Sequence, residues 1–396
     1  RALAPAPATT ATVTPAAKPT MTTTNDQLEA FGRELDELQR TTKASLGAAD
    51  RRYILRAIRA QRAMALGGRA MIFASLPLLP LPPLFFGAIG AGTISLGLAK
   101  ILENMEIGHN VIHGQWDWMN DPDINSATWE WDNVCPADQW KHSHNVVHHT
   151  WTNVIGRDRD VGYEILRVTE KQPWKPVHLV QPIYNTVLAF MFQWGVAMHD
   201  IDTGALRRGE ISLSDVRGQL KGIGKKAGKQ LLKDYVLWPL LAGPWFLPVL
   251  LANLVANGMR NLWSYAIIFC GHFPDGAQTF SEADVEGETR GGWYRRQVLG
   301  SCNITGGRLF HILSGNLSHQ IEHHLFPDLP SNRYPEVAPK VEAICAKYGV
   351  PYNKGSFARQ LGTTLRTIFR LAWPSRKKPP AETVAAEAPA GRALAA

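Results

Sequence analysis

The chain has 396 residues, of which 45% are hydrophobic, and its formal net charge is +8. Its four cysteines are far apart and form no C-x-x-C pair, which argues against a cysteine zinc site and against a disulfide framework. The basic residues flank apolar stretches and form no groove with interleaved aromatic residues. Lipid headgroups and cytoplasmic loops therefore explain the charge better than nucleic acid does.

The two ends of the chain have strongly biased compositions. Residues 1–26 are rich in Ala, Pro and Thr and lack the apolar core of a signal peptide, and residues 375–396 are similarly biased. Segments of this kind bury too little apolar surface to offset their conformational entropy. We expect two disordered tails around a single domain of residues 27–374.

An apolar region precedes the first histidines and is long enough for two membrane crossings at about 20 residues each. It predicts spans near residues 70–87 and 88–108, after amphipathic helices at the cytoplasmic membrane surface. Prolines near the predicted turn lack a backbone donor, which costs least at such a position. These prolines are Pro80, Pro82 and Pro83.

A second apolar region predicts spans near residues 234–252 and 253–272. Histidine-rich segments before and after it can share one site only if an even number of crossings separates them. The moderately apolar stretch 178–201 is therefore predicted to be a half-buried helix at the membrane interface. Basic clusters before each hairpin place the hairpin starts, and the histidines, on the cytoplasmic side. The predicted fold is an all-α integral membrane protein with two transmembrane hairpins and a cytoplasmic helical cap.

Nine of the 13 histidines lie within residues 109–149 and 319–324. Two histidines at i and i+4 share one helix face, whereas an adjacent histidine lies about 100° further round and reaches a neighbouring ion. The pattern predicts a two-metal centre held by eight imidazoles from three motifs. These are His109, His113, His144, His148, His149, His319, His323 and His324.

The remaining histidines fall into two classes. His272 ends an apolar span at the same predicted depth as His109, which makes it a candidate ninth ligand. Four others are predicted not to be ligands: His142, His178, His199 and His311. Ligating imidazoles usually donate their second N–H to a carboxylate or carbonyl group. The candidate acceptors are Glu106, Asp158, Asp160 and Glu322.

Coordination that is rich in imidazole suits iron, copper, zinc or nickel, so the spacing indicates a metal more firmly than it indicates which metal. A histidine-rich membrane protein can also transport a cation. Transport requires polar groups near the middle of the bilayer, and these histidines are predicted to lie beyond the spans. An enzyme is therefore the favoured hypothesis.

The motifs in this order, separated by hydrophobic regions, resemble the membrane-bound fatty acid desaturases and related hydroxylases over roughly residues 30–370. More narrowly, three segments are similar to actinobacterial stearoyl-CoA 9-desaturases and linoleoyl-CoA desaturases. These segments are ENMEIGHNVIHGQWDWMNDP, FCGHFPDG and GNLSHQIEHHLFPDLPSNRYPEVAPKV. The resemblance implies two iron ions, molecular oxygen and a long-chain acyl-CoA that receives a cis double bond, at position 9. Where this family often has Gln at the start of the third motif, the chain has His319, which favours a full ligand set.

The substrate and the electron donor require further groups. Candidate substrate contacts are Trp116 and Trp140, which alternatively belong to an interfacial aromatic belt, and Arg157 and Arg333. No dinucleotide, haem or iron–sulfur motif is present, so we expect an external NADPH-dependent flavin and iron–sulfur reductase or a ferredoxin as partner. A hydroxylase, or a desaturase of lipid-bound acyl chains, remains an open alternative on the same scaffold.

Overall fold

The computed structural model describes residues 25–375, and the two predicted tails lie almost entirely outside that range. The tail boundaries are slightly wrong at both ends. Asn25 and Asp26 already belong to the first helix. Ser375 is held by the main domain, since Nη2 of Arg167 donates a 2.7 Å hydrogen bond to its Oγ.

Most of the described chain is helical. The α-helices in chain order are α1 (Asn25–Ala44), α2 (Ala48–Ser75), α3 (Pro82–Leu102), α4 (Asn110–Ile112), α5 (Ala137–Trp140), α6 (His149–Trp151), α7 (Gln181–Phe190), α8 (Phe192–Met198), α9 (Thr203–Arg208), α10 (Arg217–Leu231), α11 (Trp238–Leu241), α12 (Phe246–His272), α13 (Arg290–Gly300), α14 (Arg308–Leu313), α15 (Gln320–Leu325), α16 (Tyr334–Lys347) and α17 (Phe357–Leu371). Segments with π-helical hydrogen bonding are Glu103–His109, Lys141–His148 and Leu232–Leu237. Short 3₁₀ turns are Leu76–Leu78, Asp117–Met119, Val161–Glu164, Pro176–Val180, Gly243–Trp245, Ala283–Val285 and Ser331–Arg333.

The helices α2 and α3 form a hairpin whose turn lies at residues 76–81, so the predicted break between residues 87 and 88 is wrong. The prolines explain the position of the turn, because Pro82 and Pro83 occupy the first positions of α3, where proline is tolerated best. Close backbone packing holds the hairpin together. A Cβ atom on Gly92 would lie 2.9 Å from the carbonyl oxygen of Gly68.

The second helix pair breaks at residues 242–245, which corrects the predicted boundary between residues 252 and 253. The first leg runs through α10, the π segment and α11. It ends because Gly243 adopts a positive φ of 56° and Pro244 follows it. The second leg, α12, then continues without interruption to His272 and packs against α3.

Among residues 25–375, one helical stretch is long and apolar enough to cross a membrane by its length and composition alone, namely Pro82–Ile112. Its best window has a mean hydropathy of 1.6, and 44% of that window is buried inside the protein. The prediction of four spans is therefore not confirmed.

The predicted interfacial helix at 178–201 is not one continuous helix. It consists of α7 and α8, which meet at Met191. One side packs against α12 through a core that includes Phe192 and Phe269. The other side leaves apolar residues exposed, including Ile183 and Phe190.

The fold also contains two short strands, so the all-α prediction is incomplete. Strands β1 (Asn303–Thr305) and β2 (Lys354–Ser356) pair in parallel, with Asn303 opposite Lys354. The strand pair helps to position the third histidine motif. The backbone N–H of Ile304 donates to the carbonyl of Ser318, and that of Cys302 donates to Gly271 near the end of α12.

A helical cap holds the third motif from the other side. Helix α1 packs against α13 and α16, and Gly32 allows a close approach to Gly291. The cap has its own apolar core, which includes Phe31, Ile321 and Val337. The short helix α15, which carries His323 and His324, is thereby packed between the cap and the helical hairpins.

Candidate metal centre

Histidines from the distant motifs converge in two adjacent groups. In the first group the donor atoms lie within 4.8 Å of one another, and its members are His109, His113, His144 and His323. The second group meets the same distance limit and contains His148, His272 and His324. All seven side chains are buried. The sequence prediction of a shared site for separate motifs therefore has a direct geometric counterpart.

His149 lies between the two groups. Its ring centroid is 4.8 Å from that of His323 and 4.4 Å from that of His324. Both of its ring nitrogens are buried and have no hydrogen-bond partner among the described residues. A position between two donor groups suits a ligand to either of two neighbouring ions.

A π-helical segment ends at His109 in the first motif and another ends at His148 in the second, whereas the sequence prediction assumed α-helical spacing. In the second motif the rings of His144 and His148 nevertheless stack, with centroids 5.0 Å apart and planes 23° apart. Segments of π-helix are rare and occur frequently at functional sites. The altered hydrogen-bonding pattern is a feature that periodicity in the sequence does not reveal.

Unpartnered nitrogens test whether the site suits a metal. Ring nitrogens without any hydrogen-bond partner in the described structure include Nε2 of His113, Nε2 of His144, Nε2 of His148, Nε2 of His324 and Nδ1 of His272. Buried polar atoms are normally satisfied, so a concentration of orphaned imidazole nitrogens requires an explanation. A cation bound between the rings supplies the missing partner, and the residues therefore fit a metal site.

The protonation of four clustered histidines outside the helical spans agrees with this interpretation. Burial lowers the pKa of His144 to about 4 and holds the pKa values of His149, His323 and His324 well below the usual range. These imidazoles are neutral at pH 7. Neutral imidazole is the form that binds metal.

Two aspartates contact His148, as the prediction for Asp158 and Asp160 requires. Nδ1 of His148 lies 3.0 Å from a carboxylate oxygen of Asp158 and 3.3 Å from one of Asp160. Burial disfavours the charged ring, but the two carboxylates outweigh it and raise the pKa of His148 to about 9. Asp158 also accepts the backbone N–H of Asn153 at 2.7 Å. The contact between Asp158 and Nδ1 fixes the ring of His148 so that its Nε2 can face the other histidines of the cluster.

The two predicted glutamates do not contact the clustered imidazoles. Glu106 accepts hydrogen bonds from Tyr53, Asn316 and Ser331 at 2.8, 2.9 and 2.7 Å. It therefore connects α2 and the third-motif region to the π segment. Glu322 accepts hydrogen bonds from Asn303 and Tyr352, both at 2.8 Å, and anchors α15 to the strand pair.

His319 lies outside both groups, which corrects its prediction as a ligand. Its ring stacks on His311 with a centroid distance of 4.6 Å. The reason is local: His319 is the N-cap of α15 and has non-helical backbone angles, so the i, i+4 relation to His323 does not bring the two rings together. The neighbouring Gln320 faces the site instead, with Nε2 3.1 Å from Nε2 of His272.

Other residues that hold the histidines were missed from the sequence. Nδ1 of His324 lies 3.0 Å from Oε1 of Gln297 and 3.1 Å from Oγ1 of Thr152. His199 pairs with Asp160, on the side away from His148. No local spacing marks these residues, because they reach the site only through tertiary packing.

The two candidate tryptophans have different positions. Trp140 stacks on His144 at a centroid distance of 4.3 Å and lines a cavity of about 60 Å³. Trp116 is fully buried in a separate core with Ile54 and Val111, so its prediction as a substrate contact is wrong. The cavity reaches the first histidine group at His109 and His144.

The two candidate arginines are engaged elsewhere. Arg157 pairs with Glu282 at 2.9 Å on the surface. Arg333 forms a two-pronged ion pair with Asp50, at 2.6 and 2.7 Å. Neither arginine lines the cavity beside the histidines, so the structure does not support them as substrate contacts.

Comparison with known proteins agrees with the geometry. The sequence pattern of the family described as fatty acid desaturase matches residues 83–356. The chain is 47% identical over 357 residues to the NADPH-dependent stearoyl-CoA 9-desaturase of Mycobacterium tuberculosis, covering 89% of this chain and 82% of that protein.

More distant relatives act on lipid-bound chains, by their names. The acyl-lipid (7-3)-desaturase of Rebecca salina is 29% identical over 60% of this chain and 54% of its own length. The sn-1 linoleoyl-lipid 6-desaturase of a Synechocystis strain is 23% identical over 71% of this chain and 80% of its own. The match across most of the domain, together with the buried histidine cluster, shows that the chain belongs to the fatty acid desaturase family of oxidoreductases.

Proposed function

We propose that the chain is an oxygen-dependent di-iron acyl-CoA desaturase that introduces a cis double bond at position 9 of a long-chain acyl group. The observation that carries this proposal is the pair of buried imidazole groups, the first of which lines a largely apolar cavity through His109 and His144. The similarity to a stearoyl-CoA 9-desaturase over most of both chains supports the substrate class.

The residues present fit two metal ions. One ion would be held by the first histidine group and the other by the second, with His149 placed between them. When bound, a pair of iron ions supplies the oxidising power that removal of hydrogen from an unactivated methylene requires. The chain contributes orientation: Asp158 fixes His148, and Gln297 fixes His324.

This cavity is the proposed position of the reacting part of the acyl chain. Its wall contains Met105, Trp140, Phe192 and Ile268, and it reaches His109 and His144 at one end. A chain held here has a restricted position relative to the histidines, so the depth of the cavity determines which carbon atoms react.

A second cavity adjoins the first and suits the polar half of the substrate. The two cavities share Trp131 and Asn133. Basic residues outnumber acidic ones in the lining of the second cavity: the basic residues are Arg69, Lys100, Lys226, Lys229 and Lys233, beside Glu103, Glu130 and Asp132. Phosphate groups of coenzyme A would lie there, while the acyl chain extends toward the histidines.

We also retain the four-span topology as part of the proposal. Positive residues on the first half of α2 and on α10 would stay on the cytoplasmic side together with the histidine cap. The closeness of the clustered histidines requires that their motifs share one side of the membrane. Accessibility of introduced cysteines to a membrane-impermeant reagent in spheroplasts and inverted vesicles tests this orientation.

The decisive experiment uses the purified, iron-loaded protein with stearoyl-CoA, oxygen and a reduced ferredoxin system. We expect a product two mass units lighter, with the double bond at carbon 9, and about two iron ions per chain. A gain of sixteen mass units would identify a hydroxylase, and conversion of phospholipid but not acyl-CoA would identify an acyl-lipid desaturase. Ion flux in vesicles without oxidation would identify a transporter. His148→Ala should abolish the product.

A further inference from the structure

A basic groove lies on the cap, apart from the two proposed substrate cavities. Its walls come from the first half of α2, from α14 and from the start of α16. It shares no lining residue with the cavity beside the histidines. A partner bound here would leave the acyl chain undisturbed.

The groove presents positive charge that the described structure does not neutralise. Arg52, Arg56 and Arg308 are exposed and form no hydrogen bond or ion pair within residues 25–375. The acidic residues in the groove are already neutralised: Asp50 pairs with Arg333, and Glu336 pairs with Arg333 and Lys340. The net field at the groove is therefore positive, and it suits an acidic surface.

The floor of the groove connects to the histidine cluster through buried hydrogen bonds. Tyr53, which lines the groove, donates to Glu106 at 2.8 Å, and Oγ of Ser331 donates to the same carboxylate at 2.7 Å. The backbone N–H of Ser331 donates to Gln115 at 2.9 Å. Gln115 then donates to the hydroxyl of Tyr334 at 3.0 Å.

The last contact of this chain reaches a histidine of the first group. The hydroxyl of Tyr334 lies 3.4 Å from Nδ1 of His323. Glu106, Gln115, Ser331 and Tyr334 are all fully buried. A continuous hydrogen-bonded network through a dry interior therefore links the basic groove to the candidate metal centre.

We propose that this groove is the docking surface for an acidic electron-donor protein of the ferredoxin class, and that the buried network from Tyr53 to His323 connects the docked donor to the metal centre. The proposal rests on the proposed function, which requires two electrons from outside the chain. Two reduced one-electron donors, one oxygen molecule and two protons convert one CH₂–CH₂ unit to CH=CH and yield two water molecules.

An anionic lipid headgroup is the competing occupant. The groove favours an electron-donor protein because its unpaired arginines lie over the buried network that runs from Tyr53 to His323, and a lipid headgroup gives no reason for that connection. Charge complementarity is typical of transient protein docking.

The test measures binding of a plant-type [2Fe–2S] ferredoxin to the full-length protein in phosphatidylcholine nanodiscs. The double variant Arg56→Glu, Arg308→Glu should raise the Kd about tenfold at low salt and weaken its salt dependence. The KM for ferredoxin should rise in the same proportion, with kcat at saturating ferredoxin retained. The control Arg207→Glu removes an unpaired arginine on α9 and should bind ferredoxin as the unaltered protein does.

An unchanged Kd in the double variant would overturn the proposal. So would a double variant that keeps ferredoxin binding but, in nanodiscs that also contain phosphatidylglycerol, no longer binds that lipid, since that result assigns the groove to lipid. The two proposals fail separately. Ferredoxin binding that depends on the groove without any oxidation of stearoyl-CoA would refute the desaturase and leave the docking surface. Oxidation of stearoyl-CoA by the double variant with an unchanged KM for ferredoxin would refute the docking surface and leave the desaturase.

Discussion

Nε2 of His109 lies 3.4 Å from Nε2 of His323, although 214 positions separate the two residues in the chain. Two neutral imidazoles that face each other through these atoms share at most one proton. Burial keeps both rings away from water. The contact therefore makes most sense as two ligands that converge on one cation, and it connects the first helical hairpin to the cap.

The metal content of two matched variants tests this contact. His109→Ala removes a donor from the first group, so we expect the iron content to fall by about one ion per chain, measured by mass spectrometry of the metal. His319→Ala removes a ring that stacks on His311 outside both groups, and it should leave the iron content unchanged. An equal loss in both variants would place His319 among the ligands and contradict the structure.

The carboxylate behind His148 is expected to contribute to metal affinity. Asp158→Asn keeps an oxygen that can accept the backbone N–H of Asn153 but removes the charge beside the ring of His148. We expect iron affinity to fall about 10-fold to 100-fold, measured by competition with a chelator. Asp123→Asn, at an exposed loop position, is the control. Unaltered affinity in the first variant would show that the aspartate does not orient the ligand.

A buried ion-pair network between the helical hairpins should contribute to stability. Lys100 lies 2.9 Å from both Asp132 and Asp234, and its side chain is 5% exposed. Lys100→Met leaves carboxylates buried without this partner, which we expect to cost about 3–5 kcal/mol in the free energy of unfolding.

Thermal unfolding in detergent measures this effect. The exposed Lys225 on α10 provides the matched control, and Lys225→Met should change the unfolding free energy by less than about 0.5 kcal/mol. The double variant Lys100→Met, Asp234→Leu should lose less than the first single variant, because it removes opposite charges together. A greater loss in the double variant would mean that the two residues contribute independently.

The cavity beside the first histidine group should limit the length of the acyl chain. Ser264 lines this cavity and lies 3.2 Å from Sδ of Met105. Ser264→Trp fills part of the space, so we expect the preference to shift from stearoyl-CoA to shorter acyl-CoA substrates in a competition assay analysed by mass spectrometry. Leu262→Trp, on the exposed side of the same helix, should keep the original preference. A preference that does not change with Ser264→Trp would place the acyl chain elsewhere.

Residue spacing was sufficient to predict most of the histidines that converge. The paired histidines and His272 predict a metal site because chance rarely places so many imidazoles at ligand spacing, and eight of the nine candidate histidines lie in the buried cluster. The turn prolines likewise mark the first hairpin, since proline lacks a backbone donor and has a fixed φ. These are local properties of the chain, so the spacing of residues in the sequence is enough to predict them.

Tertiary packing alone decided which side chains meet. His319 stacks on His311, and the histidines of the first two motifs meet His323 and His324 only across the fold. Glu106 is near His109 in sequence but bonds to Tyr53 and Ser331. Gln297 supports His324 from another helix. Sequence determines which donors are available, whereas the partner of each donor depends on elements that are distant in the chain and become neighbours only after folding.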